Sequence, residues 1–161
     1  MSIKIVLTGG GTGGHAYPAI SVANALRKVH PDCELLYIGG WNNIEERLAD
    51  GANIPFEGLK TRKMKKLFSL DSFAALWALG SGFFRARKIL LSFKPDIVIG
   101  TGGYASAAVC IANLLLGGKT LIHEQNAIPG RTNLCLGRFV TRVCVTFESS
   151  VKYFPASRTV V

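Results

Sequence analysis

Apolar positions along the chain alternate between two periods. Residues 3–8 form a β-branched apolar run that ends in GGGTGGH, and residues 16–29 follow with Ile20, Ala23 and Leu26 at helical spacing. Residues 33–39 read as a second strand, 43–50 as a short helix capped by Asn42 or Asn43, and 54–56 as a third strand. A helix over 70–93 comes next, with a kink expected at the GSG of 80–82. Strands at 96–100, 120–123 and 142–146 then alternate with helices at 104–116 and 130–139. This order predicts an α/β fold: a doubly wound, mainly parallel, Rossmann-like sheet with helices on both faces. The 161 residues suit a single domain over 1–161, with no internal repeat or low-complexity linker.

In such sheets ligands collect at the carboxyl ends of the strands. The polar and glycine-rich segments fall there: GGGTGGH after the first strand, GTGGY at 100–104, and HEQN at 123–126. Gly9, Gly11 and Gly14 satisfy GxGxxG, but the second strand ends in Gly39, Gly40 and Trp41, without the acid that would hold a dinucleotide ribose. A Walker A loop fails as well, because His15 and Ala16 stand where Lys and Ser or Thr are required. What survives is generic. Glycines let backbone amides approach an anion or a sugar, and the following helix directs its positive end there. Gly102 and Gly103 repeat the device before Tyr104, so two anion sites on one edge suggest a pyrophosphate or two phosphorylated ligands. Glycines that only permit a tight turn remain the plainer reading of each loop.

Charge adds a location. The net +9 favours an anionic partner, and nine of the basic residues but only one acid, Asp71, lie between residues 58 and 95. Residues 97–118 carry no charge, yet TGG at 101–103 and Asn113 break the run, so strand, turn and buried helix fit better than a membrane span. Cys33, Cys110, Cys135 and Cys144 have no metal or redox spacing and read as reduced structural thiols. The amino terminus lacks a signal-peptide pattern, which points to the cytosol. With no Asp-x-Asp motif and no histidine cluster, neither a metal nor a cofactor is predicted.

The segments GGGTGGHAYPAISVANAL, GTGGYAS and HEQNAIPGRTN, in this order, resemble the MurG family, the bacterial N-acetylglucosamine transferases that complete lipid II for peptidoglycan. The resemblance is to the amino-terminal domain and covers essentially the whole chain. It implies a two-domain GT-B glycosyltransferase of family 28 whose carboxy-terminal half, holding most of the UDP-GlcNAc, is absent here. It places Thr12, Gly13 and Gly14 near the donor diphosphate or sugar, and Asn126 on the N-acetylglucosamine ring. His15 becomes the candidate general base, for which imidazole is suited near neutral pH; a phosphate-binding histidine is the alternative. Tyr104, His123, Glu124 and Gln125 match positions around the cleft, with a structural hydrogen-bonding role open for Glu124. Glu45 has a family counterpart, which a solvated helix face explains equally well. After GGYAS the chain reads AAVC, where the family often has further glycine and proline.

The resemblance also implies a lipid I acceptor and a peripheral position on the cytoplasmic face of the bacterial plasma membrane. Lys63, Lys65, Lys66, Leu67, Phe68, Phe73 and Trp77 combine bases with large apolar side chains, as in a peripheral anchor on anionic lipid. The competing reading is a core helix beside a solvated basic loop. Nucleic acid fits poorly, since the stretch has no aromatic interleaving. Two functional alternatives stay open: a non-catalytic, membrane-recruiting subunit of a split glycosyltransferase, and transfer to another lipid acceptor.

Overall fold

A computed structural model describes residues 2–60 and 70–161, with side chains described from residue 80 onward in the second part. The sheet contains the strands β1 (Lys4–Thr8), β2 (Glu34–Gly40), β3 (Phe56–Leu59), β4 (Ile97–Gly100), β5 (Thr120–Glu124), β6 (Arg142–Val145) and β7 (Thr159–Val160). Their order is β3-β2-β1-β4-β5-β6-β7, and every pairing is parallel. The helices α1 (Gly13–Val29), α2 (Ile44–Gly51), α3 (Leu70–Phe93), α4 (Tyr104–Leu115) and α5 (Arg131–Leu136) supply the crossovers. The winding reverses between β1 and β4, so their carboxyl ends flank the crevice where a doubly wound sheet binds ligands.

Strand alternation builds two cores from one sheet. Ile5 and Leu7 of β1, with Leu35 and Tyr37 of β2, pack against Ala19 and Ala23 of α1 and Ala49 of α2. Val6, Leu36 and Ile38 point the other way, into a core with Ala86 and Leu90 of α3 and Ala108, Val109 and Ala112 of α4. Small residues on the buried faces of α1 and α4 let both helices lie close to the sheet.

Several boundaries differ from expectation. The third strand begins at Phe56 rather than residue 54. Ile54 is buried, so it reads as a strand residue, but Pro55 has no N–H for a ladder, and pairing starts at Phe56 opposite Tyr37. Helix α1 begins at Gly13, three residues early, which turns Gly13, Gly14 and His15 from a loop into the first turn of a helix. Helix α3 runs through Gly80, Ser81 and Gly82. Asn43 occupies the N-cap of α2 without a side-chain cap bond; instead the Glu46 carboxylate accepts the Asn42 N–H at 2.9 Å. Two short 3-10 turns (Glu148–Tyr153 and Ala156–Arg158) and β7 were not expected from the pattern. Among the described residues no helix is long and apolar enough to cross a membrane.

Candidate active site

The three expected loops meet at the carboxyl ends of β1, β4 and β5, which are neighbours in the sheet. The first two interlock through their backbones. Gly10 N–H donates to the Gly102 carbonyl at 3.2 Å, and a Cβ on Gly103 would fall on the Gly10 carbonyl oxygen. Gly102 and Gly103 both have left-handed φ, 104° and 91°, so glycine is required there on two grounds.

Thr101, which the sequence reading passed over, ties the arrangement together. It is fully buried, and its hydroxyl donates to the His15 carbonyl at 2.7 Å. Its own carbonyl accepts from His15 Nδ1 at 3.0 Å and from Gln125 Nε2 at 3.1 Å. One residue thus touches the β1–α1 turn and the HEQN loop at once. Its only sequence signal was its place between a strand end and two glycines.

Glu45 overturns its reading as part of a solvated face. It is 0% exposed, and its carboxylate accepts Gly40 N–H at 2.9 Å and Gly11 N–H at 3.3 Å. Gly10 has no side chain because a Cβ there would meet this carboxylate, and a Cβ on Gly39 would lie 2.6 Å from Glu45 Cγ. Beside it Tyr37 donates its hydroxyl to the Gly9 carbonyl at 2.7 Å, and burial, reinforced by the Glu45 charge, pushes the phenol pKa up. The amides of Gly10 and Gly11 are therefore committed inside the protein. Those left for an anion belong to the first turn of α1, at Gly13 and Gly14, where helix N–H groups have no intrahelical partner. Thr12 stands at the N-cap, exposed and without a side-chain cap bond. The start of α4, with Gly103 at its N-cap and Tyr104 exposed, lies on the same edge.

In HEQN, Glu124 is 1% exposed and accepts four hydrogen bonds: Asn126 N–H and Asn126 Nδ2 at 2.9 Å on one oxygen, Gly130 N–H at 3.1 Å and Asn133 Nδ2 at 2.9 Å on the other. With both oxygens occupied, this carboxylate anchors the loop that follows β5. Asn133, also missed in the sequence, completes the anchor and donates to the His123 carbonyl at 3.2 Å. Asn126 remains exposed with its amide nitrogen held by Glu124. His123 is half-buried, with Nε2 3.3 Å from Thr146 Oγ1; burial holds its pKa below the usual value, against an opposing pull from Glu124.

Lys63, Lys65, Lys66, Leu67 and Phe68 lie outside the described residues, and Phe73 and Trp77 fall in α3 where side chains are not described. Downstream, the Arg85 guanidinium lies 4.7 Å from the Trp41 ring centroid and 3.2 Å from Glu57, so one base of the basic stretch faces the protein. Phe84 is 71% exposed.

Comparison with known proteins agrees with this geometry. Residues 5–145 match the model of the glycosyltransferase family 28 N-terminal domain. The chain is 43% identical over 152 residues to the UDP-N-acetylglucosamine–N-acetylmuramyl-(pentapeptide) pyrophosphoryl-undecaprenol N-acetylglucosamine transferase of Alkaliphilus oremlandii, covering 94% of this chain and 42% of that one. It is 40% identical over 158 residues to the like-named transferase of Bacillus pumilus, covering 98% and 43%. The crystal structure of Acinetobacter baumannii MurG superposes with a TM-score of 0.85 at 33% identity, over 99% of this chain and 45% of that one. The chain thus spans less than half the length of the relatives it matches.

Proposed function

This chain belongs to glycosyltransferase family 28, whose amino-terminal domain it carries, and from that premise we propose that it is the acceptor-side half of an inverting N-acetylglucosamine transferase. The reaction moves N-acetylglucosamine from UDP-GlcNAc to the C4 hydroxyl of lipid I, giving lipid II. The observation that carries this reading is His15, bonded to the Thr101 carbonyl in the first turn of α1 on the same sheet edge as the start of α4. His15 Nε2 accepts the proton of the C4 hydroxyl as its oxygen attacks the sugar C1. The bond from C1 to the diphosphate oxygen breaks, and UDP leaves with the electron pair. The positive ends of α1 and α4 stabilise the diphosphate charge together with groups from the other half of the enzyme. Thr12, Gly13 and Gly14 border the donor diphosphate, Asn126 the sugar ring, and Gly102, Gly103 and Tyr104 the second anionic group. Glu124 and His123 shape the cleft rather than exchange protons.

Transfer in this scheme needs the donor-binding half, so residues 1–161 form a binding domain by themselves. The basic and apolar stretch that includes Lys63, Lys65, Lys66, Leu67, Phe68, Phe73 and Trp77 rests on anionic lipid at the cytoplasmic face of the membrane, where lipid I is presented. The test is a chimaera in which this chain replaces the corresponding half of the Bacillus pumilus transferase, assayed for UDP release with a lipid I analogue. Turnover that falls about 100-fold or more in kcat on His15→Ala is the expected result. A chimaera that folds and binds UDP-GlcNAc but transfers nothing to the analogue would refute the acceptor assignment, and a His15→Ala loss confined to KM would refute the base.

A further inference from the structure

We propose that Thr101 is the positioning residue of this site, and that it holds the two cleft histidines in opposite tautomers. A backbone carbonyl has no proton to give, so the 3.0 Å contact between His15 Nδ1 and the Thr101 oxygen requires the hydrogen on Nδ1. That is the minor form of free neutral histidine, and it leaves Nε2 bare. Thr101 holds His15 twice, because its hydroxyl also donates to the His15 carbonyl at 2.7 Å. The ring reaches this carbonyl only past a glycine: a Cβ on Gly102 would stand 2.8 Å from Nδ1 and 2.9 Å from Cε1.

The same oxygen sets the second histidine through Gln125. The Gln125 amide donates to the Thr101 carbonyl at 3.1 Å and to the His123 carbonyl at 3.0 Å, which fixes its orientation. Both amide hydrogens are thereby committed, and the same nitrogen stands 3.5 Å from His123 Nδ1, where a shared N–H meets a bare Nδ1 and a second N–H on the ring would face it unfavourably. The His123 proton is therefore on Nε2, beside Thr146 Oγ1 at 3.3 Å. Both His123 nitrogens are engaged, whereas His15 Nε2 makes no hydrogen bond among the described residues. This arrangement decides which of two neighbouring imidazoles receives a proton.

The inference deepens the base role of His15, but its test reads the rings rather than turnover, so either can fail without the other. Long-range proton–nitrogen NMR spectra of the 161-residue chain, labelled at histidine nitrogens and recorded at mildly alkaline pH, report each tautomer. His15→Gln and His123→Gln assign the signals by removing one ring each. The expected spectrum shows His15 protonated at Nδ1 and His123 at Nε2; an Nε2–H form of His15, or the same form for both rings, overturns the proposal. Gly102→Ala pushes the His15 ring off the carbonyl, and the Nδ1–H signal should be lost; its persistence also overturns the proposal. Should that variant fail to fold, Thr101→Val and Thr101→Ser carry the test. The valine variant should lower the Nδ1–H share of His15 and the serine variant should retain it, while identical spectra overturn the role of Thr101.

Discussion

Replacing Glu124 by glutamine tests the anchor of the HEQN loop with almost no change in shape. One carboxylate oxygen takes both Asn126 donors, and the other takes Gly130 N–H and Asn133 Nδ2. An amide has a single acceptor oxygen, so one of these pairs must face N–H groups instead. If the Asn126 pair is kept, Asn133 can flip and offer its Oδ1, a buried oxygen without a partner. The flip gives up the Asn133 bond to the His123 carbonyl, and Gly130 N–H still has no acceptor. One orphaned donor together with lost charge-assisted bonding should cost about 3 kcal/mol. For a domain of this size that lowers Tm by roughly 6–12 °C. Urea unfolding should show the midpoint falling at constant slope. The control is Glu45→Gln, which is equally buried but has Gly40 N–H and Gly11 N–H both within reach of one oxygen, the other oxygen adding only a 3.4 Å share of the Gly11 N–H. A single amide oxygen can serve both, and the expected loss is about 1 kcal/mol or less. Equal losses for the two variants, or less than about 1 kcal/mol for Glu124→Gln, would refute reasoning from how donors divide between oxygens.

Two further outcomes follow from burial. His123 is held below its ordinary value of 6.5 mainly by desolvation, so between that lowered value and 6.5 the folded chain binds fewer protons than the unfolded one. Its contribution to stability is fully present above 6.5 and is lost as pH falls from there toward the folded value; urea midpoints across this window should drop, and His123→Asn should flatten the slope, with an unflattened slope counting against the assignment. Cys110 is buried and its thiol is pushed up to about 12 by desolvation, whereas Cys135 is exposed. Brief maleimide treatment of the native chain, read by mass spectrometry, should modify Cys135 and leave Cys110 free, and labelling of Cys110 first would contradict the packing.

The fold and the meeting of the three loops on one sheet edge were legible because both are local or periodic properties. Ile5, Val6 and Leu7 read as a strand in sequence and divide between the two cores in space, and the glycine runs mark where strands end. The hydrogen bonds that give the site its chemistry were not legible, because their partners lie far apart in the chain and their residue types have commoner uses. Glu45 stands in the first turn of α2 beside Glu46, where an acid ordinarily complements the helix dipole from solvent. Only Glu46 does so, reaching the Asn42 N–H, while Glu45 turns inward to Gly11, 34 residues earlier. Thr101 reads as a strand-end residue until His15, 86 residues away, is set against it. The glycines carry the same lesson in reverse. Gly10 and Gly102 read as parts of an open cradle and Gly39 as the end of a strand, yet Gly10 and Gly39 make room for the Glu45 side chain and Gly102 for the His15 ring. At these three positions the space a side chain would take is already filled, whereas Gly11 faces open space. The Gly13 and Gly14 amides, which open α1, stand directly before His15, so in the proposed reaction the groups that hold an anion and the group that takes a proton share a single helical turn.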